Sequence, residues 1–279
     1  MRTYLDCLPC MMNQALRAGR LATNDESKIK KLLDDVGDSI KNISLHDTPV
    51  ESGAIVYNRI KEITNNEDPY KQIKATSIKE ALELYPLLEN YIQESDDPLL
   101  TAIRIAVAGN VVDFGMSKEF DLERDLKYII NQNFAILDYD IFKKQLNKAS
   151  NILYIGDNAG ESVFDSILIK QLGVPVTYVV RGIPIINDVT YQDAIDSGID
   201  EIADIISSGT TAPGTILKLC TKEFVDIFNK ADMIISKGQG NFEGLSNVNR
   251  QVFFLLKAKC HVIAKHLNVN EDDIVLLSS

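Results

Sequence analysis

Between residues 151 and 279, short apolar runs rich in β-branched residues alternate with stretches of helical spacing. That alternation constrains the fold more than any other feature of the chain. The run 151–155 precedes a turn and the helical pattern 161–172. The run 174–180 precedes a turn and a helix near 189–197. Residues 202–206, 233–235 and 252–256 are further strands with helices between them, and 274–277 adds a last one. Strand–helix alternation predicts an α/β fold with a mainly parallel sheet and flanking helices, a Rossmann-like three-layer core. Such sheets take their ligands at the carboxyl ends of the strands.

The first part of the chain reads differently. Apolar residues recur at three- and four-residue spacing over 29–43, 55–63, 78–92, 99–107 and 122–130, with short polar joints between. Five of the 15 glycines fall in residues 1–150 and ten in 151–279, so the halves differ in architecture. The expected organisation is an N-terminal all-helical subdomain over 1–150 and an α/β metal- and phosphate-binding core over 151–279, together forming one cooperative unit.

Charge and cysteine usage narrow the function classes. The net charge is −11 with no basic stripe, which disfavours nucleic-acid binding. No apolar run approaches the roughly 18 residues of a membrane span, and the opening residues lack the apolar core of a secretory signal. Four cysteines are too sparse for a disulfide scaffold and fit a reducing, cytoplasmic setting.

Chemistry-bearing residues cluster in the loops after strands. Gly156-Asp157-Asn158-Ala159-Gly160-Glu161 leaves the first strand and opens a helix. Its Asp and Asn offer hard oxygen donors suited to Mg²⁺ or Mn²⁺, and the same pair also suits an Asx turn with a helix cap. Arg181-Gly182 and Asn187-Asp188 follow the second strand, with Asp193 a helical turn later. Asp188 can complete an oxygen-rich metal site or cap a helix. Ser236-Lys237-Gly238-Gln239-Gly240-Asn241-Phe242-Glu243 sets a lysine beside accessible backbone N–H groups, suited to phosphate, although the order is not that of a Walker loop. The small residues 207–214 precede a helix. Asn110 and Asp113, three apart in the helical part, share one helix face. Together these loops set a divalent-metal site beside an anion site, as phosphoryl transfer requires.

Cys7-Leu8-Pro9-Cys10 has the spacing of half a zinc site or a redox pair. Cys260 and His261 complete it only if the fold brings the chain ends together.

The segments Asp157-Asn158-Ala159-Gly160-Glu161, Asn187-Asp188-x-Thr190-x-x-Asp193 and Lys237-Gly238-x-Gly240-Asn241-Phe242-Glu243 resemble the damage-control phosphatases, formerly domain of unknown function 89. Gly109-Asn110-x-x-Asp113 and Lys259-Cys260 are also similar to that family, and the likeness spans roughly 1–275. The N-terminal Cys7-x-x-Cys10 and the short length resemble its compact, mostly prokaryotic branch. The resemblance implies a metal-dependent phosphomonoesterase acting on small phosphorylated metabolites, including damaged or surplus sugar phosphates. It implies Asp157, Asn158 and Asp188 as ligands of Mg²⁺, Mn²⁺, Co²⁺ or Ni²⁺. It also implies Lys237 and Asn241 on the substrate phosphate, and Glu161, Asn110 and Asp113 lining the cleft.

Arg181 and Glu243 join the substrate-binding candidates from their places in these loops. The catalytic pair expected is Asp157 with Lys237, the lysine stabilising the transition state. Attack by water and attack by Asp157 are both open, and the second would leave a trappable aspartyl phosphate. The alternatives from other classes are a non-catalytic nucleotide or sugar-phosphate binding protein and a zinc or redox protein using Cys7 and Cys10.

Overall fold

The computed structural model describes residues 1–109, 127 and 130–279. The expected helix over 122–130, Asn110 and Asp113 lie almost wholly outside them, so the two cleft candidates Asn110 and Asp113 have no described position.

Five helices open the chain: α1 (Cys7–Ala22), α2 (Glu26–Ile40), α3 (Pro49–Thr64), α4 (Lys71–Gln93) and α5 (Pro98–Ala108). Their starts follow capping chemistry. The Asp25 carboxylate accepts from the Ser27 and Lys28 N–H groups at the head of α2. Thr48 and Glu51 form a reciprocal capping box on α3, with Pro49 in the first turn, where its missing N–H costs nothing.

The strands are β1 (Phe134–Leu137), β2 (Ile152–Ile155), β3 (Val176–Val180), β4 (Asp204–Ser207), β5 (Met233–Lys237), β6 (Phe253–Lys257) and β7 (Ile274–Ser278). They form one sheet in the order β1-β7-β6-β5-β2-β3-β4. Every pairing is parallel except β6 with β7. All six strands read from sequence fall within a residue or two of these bounds. β1 was not anticipated: its four residues alternate between half-buried and exposed at the sheet edge, too short a signal to separate from helix.

Period-two alternation assigns the two faces of the sheet. Ile152, Tyr154, Met233, Ile235, Phe253 and Leu255 point to one core, and Leu153, Ile155, Ile234, Phe254 and Leu256 to the other. The first core is closed by helix Glu161–Leu172 together with α4 and α5, and the second by helices Lys222–Lys230, Gln239–Leu245 and His261–Leu267. A third core joins α1, α2 and α3 to Ile185.

The packing therefore cuts across the division expected at residue 150. α4, α5, β1 and helix Tyr139–Leu146 build the three-layer sandwich, and only α1–α3 pack among themselves. A buried ion pair ties the parts together: Lys74 Nζ lies 2.8 Å from Asp193 Oδ2 and 3.0 Å from Asp68 Oδ2.

Candidate active site

After β2 the chain steps outward through β3 and β4, then returns to β5 on the other side of β2. The carboxyl ends of β2 and β5 thus flank the topological switch point, where helices leave to opposite faces and a crevice opens. Asp157 and Asn158 follow β2 there, and Gly238 and Gln239 follow β5. A cavity of about 690 Å³ lies over this edge, walled by Asp157, Asn158, Glu161, Asp188, Gln239, Glu243 and Lys259 from the α/β layer. Gln14, Arg17, Tyr57, Tyr70 and Ile73 face it from the helices and their joints.

The loop after β3 folds back on the loop after β2. Val189 N–H donates to Asp157 O and Ala159 N–H to Asn187 O, each at 2.8 Å, so Asn158 and Asp188 pair as an isolated antiparallel bridge. Ile186 makes this turn with φ of 46°, a left-handed conformation that a β-branched residue adopts only when its surroundings hold it there. Asp157, Asp188 and Glu161 are all at least 93% buried as a result.

Gly238 closes the other side. Its φ is 79°, and a Cβ added there would collide with the Asp157 carboxylate. Gly238→Ala is expected to cost about 1–3 kcal/mol through the left-handed backbone alone. It should also displace Asp157 and depress activity more than stability, as read by melting temperature against phosphate release on one preparation.

The electrostatics are lopsided. Burial, reinforced by Glu161 and Asp188, pushes the Asp157 carboxyl up to about 8, with Arg181 and Lys259 pulling the other way. Burial also raises Asp188, against the Arg181 guanidinium, whose Nε donates to Asp188 Oδ2 at 2.5 Å. Arg181 is 1% exposed, and its Nη2 stands 3.6 Å from Asp157 Oδ1 with no hydrogen-bond partner. The Asn158 amide donates to Glu161. Among the described residues no three His, Cys, Asp or Glu side chains are already arrayed as a metal-holding group. The oxygen donors at the crevice are Asp157, Asp188 and the Asn158 amide, crowded acids with too little compensating charge. That donor set fits a hard divalent cation.

Two residues read from sequence as phosphate contacts sit elsewhere. Lys237 is the last residue of β5 and shares the face of Met233 and Ile235, so it points under helix Glu161–Leu172. There it is fully buried, 2.6 Å from Asp165 Oδ1 and 3.3 Å from Glu161 Oε2, and it is absent from the cavity wall. Burial acts to lower its ammonium, but Asp165 and Glu161 outweigh it and hold it up. The Asn241 amide donates to Gly156 O and Lys237 O, and its oxygen accepts from the Thr215 N–H and hydroxyl. All four bonds knit loops together, so Asn241 is a clamp and offers nothing to a ligand.

Asp165 was missed from sequence. It accepts from the hydroxyls of Tyr154 and Tyr178 as well as from Lys237, and burial raises its carboxyl against the lysine's pull. Its signal was the four-residue spacing from Glu161, which sets both carboxylates on one helix face. Glu243, 9% exposed, accepts from Gln239 Nε2 at 2.9 Å, and burial pushes it up to about 7. The fold does bring the chain ends together: Cys7, Cys10, Cys260 and His261 all face the cavity, and burial raises the Cys7 and Cys10 thiols. Asp193 is the buried partner of Lys74 and caps its helix with Thr190.

An α/β sheet with carboxylates crowded at its switch point defines a class of proteins that carry their polar chemistry in a crevice at the carboxyl ends of the strands. Residues 3–275 match the damage-control phosphatase ARMT1-like domain, and the chain belongs to that family. It is 34% identical to the damage-control phosphatase PH1575 of Pyrococcus horikoshii, over 99% of this chain and 98% of that one. It is 32% identical to a damage-control phosphatase of Archaeoglobus fulgidus, over 96% of each. The crystal structure of PH1575, described as a DUF89 family protein, superposes with a TM-score of 0.92 at 33% identity, covering 99% of both chains.

Proposed function

We propose that the chain is a metal-dependent phosphatase that hydrolyses phosphomonoesters of small metabolites, sugar phosphates or related damaged phosphometabolites among them. The observation that carries the reading is the trio Asp157, Asp188 and Glu161, buried at the switch point, with Arg181 beside the two aspartates and Lys237 beside Glu161. Family membership supports the reaction class.

Asp157, Asn158 and Asp188 would hold the divalent ion, with Mg²⁺, Mn²⁺, Co²⁺ and Ni²⁺ the candidates. When bound, it supplies Lewis-acid polarisation of the phosphoryl oxygens. Arg181 orients Asp188 and opposes the upward push of burial on its carboxyl. Glu161 fixes the Asn158 amide and is itself held by Lys237. The burial of these groups excludes water from all but the cavity side, which strengthens each interaction within. Among the described residues no helix is long and apolar enough to cross a membrane. The cysteines are unpaired, which supports a cytoplasmic setting.

The purified protein is expected to release phosphate from p-nitrophenyl phosphate with Mg²⁺ or Mn²⁺ and to lose that activity in EDTA. Phosphate release that persists undiminished in EDTA would count against the metal. A panel of phosphorylated metabolites under the four metals then ranks substrates.

A further inference from the structure

A phosphoryl group over the carboxylates occupies one side of a cavity of about 690 Å³, a volume that encloses a whole small molecule. The helical wall meets the remainder of the substrate. On α1, Gln14 and Arg17 both line the cavity, three residues apart on one helix face. That face is held in place: the Tyr57 hydroxyl of α3 donates to Gln14 Oε1 at 3.0 Å, and Gln14 Nε2 donates to Cys10 Sγ at 3.4 Å. Tyr70, at the head of α4, lines the same cavity.

Tyr57 links the two sides electrostatically. Burial holds its hydroxyl protonated, and that hydroxyl feels both the Asp188 carboxylate and the Arg17 guanidinium. Burial also raises the Tyr70 hydroxyl, with Arg17 pulling the other way. Charge acts over short range in salt water. Asp188 and Arg17 acting on one side chain therefore sit within the span of one small molecule.

Arg17 is exposed and is also engaged within the protein. A guanidinium carries five N–H donors in a planar fork, so a ligand anion can join that engagement without replacing it. Among the described residues, the stretches of α1, α3 and α4 that line the cavity bring no Asp or Glu to compete for an anion on this wall.

Resting on the phosphatase reading, we propose that Arg17 forms a second anion subsite, which selects substrates with another anionic group at the end remote from the phosphoryl group that is cleaved. Carboxylate and phosphate share the chemistry that a guanidinium fork recognises, two oxygens that accept parallel N–H bonds. The subsite binds and orients; it takes no part in breaking the ester.

The test uses Mn²⁺-loaded wild type, Arg17→Ala and Arg17→Lys on two matched pairs of substrates. 6-Phosphogluconate and glucitol 6-phosphate differ by a terminal carboxylate against an alcohol. Fructose 1,6-bisphosphate and fructose 6-phosphate differ by a second phosphate. In wild type, kcat/KM is expected to be about tenfold or more higher for the doubly anionic member of at least one pair. The pair that shows the preference tells carboxylate from phosphate. Arg17→Ala should bring that ratio close to one, chiefly through KM, and Arg17→Lys should recover part of it. A ratio that survives in Arg17→Ala, with both members losing the same fold, would overturn the proposal. So would a wild type that cleaves p-nitrophenyl phosphate but prefers neither doubly anionic substrate, and the phosphatase reading would then still stand. If wild type cleaves no ester, the phosphatase reading fails, and calorimetric binding of the same pairs to wild type and Arg17→Ala decides the subsite.

Discussion

Asp157→Asn is expected to abolish phosphate release, by about a thousandfold or more given what one electrostatic group supplies to a preorganised site. In EDTA the same variant should be more stable than wild type at pH 8. The sign follows from linkage. The folded protein holds the Asp157 proton up to about pH 8, against an ordinary value of 3.8. As pH rises between those values, the unfolded chain gives up that proton and the folded one keeps it. The folded state then binds more protons, and stability falls with rising pH across the window. Asparagine has no proton to give up and nearly the same shape. The gap in melting temperature between variant and metal-free wild type should therefore be small near pH 5 and widen toward pH 8. Divalent metal should close the gap from the wild-type side, because it binds the folded protein and displaces the proton. Melting curves of wild type and variant that stay parallel from pH 5 to pH 8 in EDTA would refute the electrostatic account of the crevice. A variant that retained turnover would refute the assignment of Asp157.

The second large effect belongs to Lys237. Lys237→Met removes the cation between Asp165 and Glu161, both 1% exposed or less. Breaking a buried pair from one side costs about 3–5 kcal/mol, because the remaining charge is left in low dielectric. At about 2–4 °C per kcal/mol for a chain approaching this size, the melting temperature should drop by roughly 10 °C. Adding Asp165→Asn to Lys237→Met should return part of the loss, since the double variant no longer buries an uncompensated Asp165 carboxylate. The two effects are therefore expected to be strongly non-additive. Thermal melts of the two single variants and the double variant measure it. Additive losses would mean that the lysine and Asp165 act independently.

Much of this molecule was legible in its sequence, for identifiable reasons. Strand–helix alternation is a long-range pattern that survives local ambiguity, so the parallel sheet and its ligand edge could be read before any coordinates. The loops at 156–161, 181–188 and 236–243 do converge, because in a parallel sheet every strand delivers its following loop to one edge. What could not be read was direction within those loops. Lys237 and Lys259 both lie near the ligand-side end of a strand, but the first is still within β5 and obeys its period, while the second has left β6. A single residue of strand end decides between core and cavity, and boundaries at that precision are beyond pattern reading. Asn241 misled for another reason. Polar residues in a site loop look alike whether they meet a ligand or satisfy buried backbone, and only the hydrogen-bond partners separate the two. Helical spacing shows that a segment is helical, not which layer it joins, so the packing of α4 and α5 on the sheet was not legible.

The cavity has walls of two origins. Its carboxylates come mainly from the loops at the sheet edge, whereas the stretches of α1, α3 and α4 that face it bring Gln14, Arg17, Tyr57, Ile73 and other neutral or basic groups, with no Asp or Glu. On the phosphatase reading proposed above, chemistry and selectivity would be carried by separate parts of the chain. Substitutions in the first eighty residues can reshape what fits without touching the groups that cleave, so relatives built on one catalytic floor are free to diverge in appetite under a changing roof.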